Sequence, residues 1–349
     1  MSGFLIYGAN GYTGSLIAHA AAARGLKPIL AGRNGEHLGT LARELGLEHR
    51  TFALDSPDAV VEGIRGVRMV LHCAGPFAHT SKPMADACLR TGVHYLDITG
   101  EVGVFEALAA CDQEAKATQV MLLPGVGFDV VPSDCLAAHL KRRLPSANRL
   151  ALGFQTFGRV SRGTATTMVE NIARGGVVRQ DGILRGVPAA WKTSVIDFGA
   201  GPIKAITIPW GDVSTAFYST GIPNIEVYTA APLRVRVAAR ASRHLGWLLG
   251  SGIVQRFLKR RIQARPAGPS EEERSQGKSL VWGEAEDTAG QKVVSRLHGT
   301  EGYTMTVRSS LAVVERVLAG EVVPGFQTPS KLFGPDFVLG LEGVVREDE

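Results

Sequence analysis

Phe4-Leu5-Ile6-Tyr7-Gly8-Ala9-Asn10-Gly11-Tyr12-Thr13-Gly14 is the stretch that decides the fold. A short apolar run feeds straight into a glycine turn, and helical patterning follows from Ser15 to Arg24. The glycine spacing is G-x-x-G-x-x-G rather than G-x-G-x-x-G, but it serves the same chemistry. Such a turn is tight, leaves its backbone bare of side chains, and aims a helix N-terminus at a pyrophosphate. In this strand–turn–helix context, Gly8, Asn10, Gly11, Tyr12, Thr13 and Gly14 are predicted to cradle a dinucleotide.

Outward from the turn, apolar strands alternate with helical segments as far as Leu123. The predicted strands are Gly3–Tyr7, Pro28–Ala31, His49–Leu54, Arg68–Ala74, His94–Ile98 and Gln119–Leu123. The predicted helices are Ser15–Arg24, Glu36–Leu45, Pro57–Ile64, Ser81–Arg90 and Val104–Ala117. This rhythm reads as βαβ units, an α/β fold with a Rossmann-type doubly wound parallel sheet covered on both faces. After Pro124 the rhythm is lost. A helix is predicted over Pro132–Leu144, a strand over Arg149–Phe157 and a helix over Gly163–Arg174. Strands are predicted at Lys204–Ile208, Ser214–Ser219 and Ile225–Thr229, then a hairpin of Lys278–Asp287 and Lys292–His298. That pattern is α+β, and Tyr303–Leu318 closes it as an amphipathic helix before a Pro/Gly-punctuated tail. The predicted domains are 1–130 for the cofactor, 131–302 for substrate or dimerisation, and 303–349 as a C-terminal helix and tail.

The ends of the next strands bear on which cofactor is held. An NAD site places an acid after the second strand, to accept from the ribose 2′-hydroxyl. Here Arg33 and Asn34 stand in that place, and a guanidinium pairs bidentately with a 2′-phosphate. The cofactor is therefore expected to be NADP(H). Asp55, ending the third strand, can reach the adenine edge or cap the helix that Pro57 opens. The small residues Ala74, Gly75 and Pro76 after the fourth strand leave room for the cofactor.

Composition removes other classes. Of 349 residues, 45% are hydrophobic and 20% charged, which excludes disorder. A net charge of +5 is too diffuse to argue for nucleic acid, and the 42 glycines follow no collagen period. Cys73, Cys88, Cys111 and Cys135 share no short spacing, so no metal site is expected. The fold begins at the third residue and no apolar run of spanning length occurs, so a cytoplasmic or peripheral protein is expected.

One family shares these features in order. Tyr7–Gly14, Ala31–Asn34, Cys73–Phe77, Tyr95–Glu101 and the run Pro124-Gly125-Val126-Gly127-Phe128-Asp129-Val130-Val131-Pro132-Ser133-Asp134 resemble the saccharopine dehydrogenase-like oxidoreductases. The branch they resemble contains trans-acting enoyl reductases. The resemblance extends to Gly302-Tyr303-Thr304 and Thr328-Pro329-Ser330, and its motifs are specific for the family rather than for one reaction. It implies a mixed-sheet second domain and a return of Tyr303–Glu349 to the first. It also implies an NADP-dependent oxidoreductase, an enoyl-type reductase of a hydrophobic or lipid-linked substrate. Saccharopine-type C–N chemistry would need arginines for two carboxylates, for which Arg159, Arg162 and Arg174 are the candidates. A non-catalytic NADPH-binding scaffold or sensor is the reading from another class.

No Tyr-x-x-x-Lys and no Gly-x-Ser-x-Gly is present, which removes the usual short-chain dehydrogenase and hydrolase mechanisms. The proton donor is sought instead among carboxylates at the strand ends: Asp97, Glu101, Asp129 and Asp134, with Tyr95 and His79 as rivals. Asp129, Asp97 and Tyr95 are the catalytic candidates. Asp129 and Ser133 can equally cap the helix after Pro132.

The segment 232–265 carries nine Arg and Lys residues and no acid, around the apolar stretch Leu245–Val254 with Trp247 and Leu248. Two uses are open. It is a peripheral contact with anionic lipid, or its apolar face packs on its own domain or across a homodimer. Nucleic acid is not expected there, because stacking aromatics are missing from the run.

Overall fold

The computed structural model describes residues 3–156, 158–171 and 175–349. Arg174 and the side chains of Trp247 and Leu248 lie outside the described residues. The chain divides into two units, Met1–Val131 with Tyr303–Leu332, and Pro132–Gly302 with Phe333–Glu349.

In the first unit the strands are β1 (Phe4–Tyr7), β2 (Ile29–Gly32), β3 (His49–Thr51), β4 (Met69–His72), β5 (His94–Asp97) and β6 (Met121–Leu123). They lie in the order β6-β5-β4-β1-β2-β3, with Gly325–Phe326 beyond β6, and every pairing is parallel. β1 and β4 are buried throughout, as strands sandwiched between helix layers must be. The strand order reverses between β1 and β4, so ligands are expected beyond the carboxyl ends of these strands.

The helices of the first unit include α1 (Tyr12–Ala23), α2 (Gly35–Leu45), α3 (Pro57–Gly63), α4 (Phe77–Thr91), α5 (Val102–Ala110) and α6 (Asp112–Ala117), while α7 (Val131–Arg143) belongs to the second unit from Pro132 onward. The single helix expected over Val104–Ala117 breaks at Cys111 into α5 and α6. Helix Gly302–Leu318 buries Met305, Leu311, Val313, Val314 and Val317, an i, i+3, i+4 stripe.

The expected return of 303–349 needs correction. Only Tyr303–Leu332 joins the first unit, while Phe333–Glu349 belongs to the second. Among the contacts that hold the tail there, Val345–Asp348 pairs antiparallel with Lys292–Thr300, and Arg142 grips the Asp336 carboxylate with two hydrogen bonds.

The second unit is built on a nine-stranded mixed sheet among the described residues. Arg149–Thr156 lies between Asn224–Ala230, which is parallel to it, and Lys278–Glu286, which is antiparallel. The hairpin of Lys278–Glu286 and Lys292–Thr300 forms where the Thr288–Gln291 turn predicts it. One expectation is overturned: Ser214–Ser219 lies within a helix, Asp212–Thr220, not a strand. Its β-branched and aromatic residues suggest a strand, but Asp212 in the first turn and left-handed Gly221 at the C-cap delimit a helix. Strands Gly176–Gln180, Ile183–Val187 and Thr193–Asp197 were not anticipated.

Candidate cofactor and active site

The glycine turn has the geometry that its spacing predicts. Gly8 sits at φ +85°, and a Cβ there would meet Ala74 at 2.8 Å. A Cβ on Gly14 would collide with the Gly8 carbonyl oxygen, so α1 can start this close to the turn only with glycine there. Gly8 N donates to Ala31 O at 2.7 Å and Gly11 N to Gly8 O at 2.9 Å, which sets the turn against the end of β2. α1 begins at Tyr12, so Thr13 and Gly14 lie in its first turn, and its N-cap Gly11 provides no side-chain acceptor. First-turn N–H groups without a capping side chain are what a pyrophosphate would satisfy. Asn10 is exposed and turns back towards Gly32, where a Cβ would meet its Oδ1 at 3.1 Å.

Beyond β2 the two residues that were paired as cofactor ligands separate. Asn34 is the N-cap of α2, its Oδ1 accepting from His37 N at 3.2 Å, whereas the Arg33 side chain is exposed. Asp55 is exposed as well, because Ser56 and not Asp55 caps α3 by accepting from Ala59 N. Both charges act on the Tyr7 hydroxyl, which donates to Phe52 O. Burial pushes that hydroxyl up to about 12, with Arg33 opposing the rise and Asp55 adding to it. Arg33 and Asp55 are thus both near enough to Tyr7 to act on its hydroxyl.

After β4, Ala74, Gly75 and Pro76 lead into α4. Their support is His72, a residue that motif reading passed over. It is fully buried, and its Nε2 lies 3.0 Å from Thr80 Oγ1, whose own proton goes to Ala74 O at 2.7 Å. The imidazole is thus the donor to Thr80, and burial lowers its pKa to about 3, which keeps it neutral.

The strand-end carboxylates divide by use. Glu101 accepts from Phe77 N at 2.8 Å and Ala78 N at 3.0 Å, so it caps α4 from outside that helix. Asp97 is fully buried: Oδ1 accepts from Thr99 N and Gly125 N, and Oδ2 from the Tyr95 hydroxyl at 2.7 Å. Burial raises its pKa to about 6, against the lowering by those three bonds. Tyr95 and Asp97 thus bind each other, and Asp97 ties down the loop after β6 through Gly125 N. Asp129, on that loop, is partly exposed and packs against Gly100, where a Cβ would meet Oδ2 at 2.8 Å. Burial raises its pKa to about 6. Asp134 and Ser133 are fully buried in α7, and His79 is exposed in the first turn of α4.

The returning helix braces both halves of this site. Tyr303 meets Tyr12 edge to face, with ring centres 5.0 Å apart. Thr306 Oγ1 accepts from Phe128 N at 3.0 Å, and Ser309 Oγ donates to Val126 O at 2.8 Å. The family-like Gly302-Tyr303-Thr304 signal was visible in the sequence; the contact it makes was not.

Residues 4–123 match the family model described as the saccharopine dehydrogenase NADP binding domain. The first unit is an NADP-binding domain. The chain resembles a trans-acting enoyl reductase of Mycobacterium leprae, 34% identical over 148 residues, covering 40% of this chain and 35% of that protein. A saccharopine dehydrogenase-like oxidoreductase of Bos taurus is 24% identical over 217 residues, covering 56% of this chain and 46% of that one. The chain thus spans about a third of the length of the enoyl reductases it matches. The apo saccharopine dehydrogenase (L-Glu forming) of Saccharomyces cerevisiae superposes over the whole of both chains, with TM-score 0.68 and 11% identity, which shows a shared fold.

Proposed function

We propose that the chain is an NADPH-dependent reductase that saturates the C=C bond of an enoyl substrate carried on a hydrophobic or lipid-linked group, with Asp129 as proton donor. The observation that carries this reading is the Asp129 carboxyl, partly exposed at the carboxyl edge of the sheet and raised to about 6. Saturation needs one hydride and one proton, and bound NADPH supplies the hydride. The residues of the chain do the rest. Gly8–Gly14 and α1 bind the pyrophosphate, Arg33 binds the 2′-phosphate, and Asp129 holds the proton for the carbon that hydride does not reach. The relatives named trans-acting enoyl reductases support the enoyl class.

The saccharopine-type reading is less well supported, since the two of its candidate arginines that lie among the described residues are engaged. Arg159 faces Glu273 at 3.6 Å, and Arg162 Nη1 donates to Gln263 O at 3.4 Å. The test is NADPH oxidation, followed by absorbance, with trans-2-enoyl thioesters of increasing chain length and with amino-acid conjugates. Turnover of the thioesters is expected. Turnover of conjugates alone would replace this reading with C–N chemistry, and no turnover of either class would favour the scaffold.

A further inference from the structure

We propose that the two basic helices Leu233–Leu249 and Gly252–Gln263 form a docking face for an anionic lipid surface. Leu233–Leu249 rests on its own unit through Arg236, Ala239 and Ser242, and Arg243 donates to the carbonyls of Ala189 and Ala190. Leu233, Val237, Ala241 and Leu245, at i, i+4, i+8 and i+12, form an exposed stripe away from that contact. Gly252–Gln263 repeats the arrangement. Val254, Leu258 and Ile262 turn towards the unit, while Ile253 is 75% exposed and Phe257 57%. Leu233, Val237, Ile253 and Phe257 thus stay exposed, whereas Val254, Leu258 and Ile262 pack inward.

Cations surround this apolar face, and the charge pattern selects the occupant. Lys259 is engaged with Glu170, but the side chains of Arg256, Arg260 and Arg261 make no ion pair among the described residues. The Arg261 guanidinium lies 5.4 Å from the Phe257 ring centre, beside the apolar face and not beneath it. Segment 232–265 holds nine cations and no acid, more than the net +5 of the chain, so the remainder is net acidic. A second copy docking symmetrically would set this positive patch against itself. A nucleic acid would satisfy the arginines but offer nothing to Ile253, Leu233 or Val237. An anionic bilayer satisfies both: head groups meet the arginines, and the aliphatic side chains enter the interface. The Leu245–Val254 stretch lies at the junction of the two helices, and no helix among the described residues is long and apolar enough to span a membrane. The contact is therefore an interfacial one.

Co-sedimentation of the full chain with vesicles of equal phosphatidylglycerol and phosphatidylcholine, and of phosphatidylcholine alone, tests this. Binding to the anionic vesicles is expected, with only partial release in high salt. The triple variant Arg256→Gln, Arg260→Gln and Arg261→Gln should partition on the order of a hundredfold less well, since each cation at such a surface contributes about a factor of five. Ile253→Ser with Phe257→Ser should lose the salt-resistant fraction. Both variants should keep wild-type NADPH binding and melting temperature, because none of these side chains is buried. Indifference of the wild type to anionic vesicles would overturn the proposal. Complete release by salt, with tighter binding to duplex DNA, would assign the patch to nucleic acid. A dimer in light scattering that Ile253→Ser with Phe257→Ser converts to monomer would assign it to a second copy.

Discussion

The turn after β5 and the loop after β6 leave the same edge of the same sheet, and their carboxylates differ in surroundings. After β5, Asp97 and Glu101 both accept from backbone N–H groups of their own unit, and Tyr95 takes the remaining oxygen of Asp97. After β6, Asp129 is partly exposed beside Gly100. Burial raises both Asp97 and Asp129 to about 6. A raised pKa at a sheet edge thus does not by itself mark a proton donor. A group that gives its proton to a substrate must also face it, and on the proposed reading the greater exposure of Asp129 favours it over Asp97.

The sharpest way to break this contrast is at Asp129. Asp129→Asn keeps the shape and removes the proton, so enoyl reduction should fall about 10²–10⁴-fold. NADPH affinity, read by nicotinamide fluorescence, should stay within a few-fold of wild type. Because the donor must be protonated, the wild-type kcat/KM should fall as pH rises through about 6, and the variant should lack that limb. An unchanged turnover number in Asp129→Asn would return the role of donor to another group.

The converse holds at Asp97. Asp97→Ala leaves the N–H groups of Thr99 and Gly125 and the hydroxyl of Tyr95 buried without their acceptor. An unsatisfied buried group costs about 1–3 kcal/mol, so urea unfolding should show a loss of about 3 kcal/mol or more. The titration has a definite sign. The folded state holds the Asp97 proton more tightly than the unfolded chain, so the stabilisation that comes from burying the neutral carboxyl is complete below about pH 4 and is lost as pH rises through about 6. Asp97→Asn should therefore flatten the decline of stability between those pH values. If Asp97→Asn instead abolished turnover with stability intact, the division between the two carboxylates would collapse.

This division marks the limit of what the sequence discloses. The parallel sheet is legible because its strands are uninterrupted apolar runs and its turns carry glycine, so burial on both faces and a left-handed Gly8 leave local signatures. The glycine cradle is legible for the same reason. Asp97 and Asp129 have no such signature, since part of what separates them lies far along the chain: Gly125 N on one, Gly100 against the other. Tyr303 against Tyr12 and Thr306 against Phe128 are likewise long-range contacts. In the second unit the β-branched and aromatic residues of Ser214–Ser219 suggest a strand, but tertiary packing overrides that composition and the segment lies in helix Asp212–Thr220. The strands Gly176–Gln180 and Ile183–Val187 escaped notice because they are short, glycine-bearing and largely exposed on Ile183–Val187.

The smallest effects lie at the end of β2, where Arg33 and Asn34 repeat the contrast side by side. Arg33 is exposed at the edge, while Asn34 has its Oδ1 on His37 N. Loss of a charge-assisted phosphate contact costs about 1.5–3 kcal/mol, so Arg33→Ala should weaken NADPH binding about 10- to 150-fold. NADH binding should barely change, because that cofactor lacks the 2′-phosphate. Asn34→Ala should do the reverse, lowering stability by about 1 kcal/mol through loss of the cap of α2 while NADPH binds as before. Fluorescence titration with both cofactors and urea unfolding, applied to both variants, separate the two roles. If Asn34→Ala lost NADPH affinity by a factor like that of Arg33→Ala, the cap would double as a phosphate ligand. The division between side chains that serve the backbone and those that serve the cofactor would then not extend to this edge of the sheet.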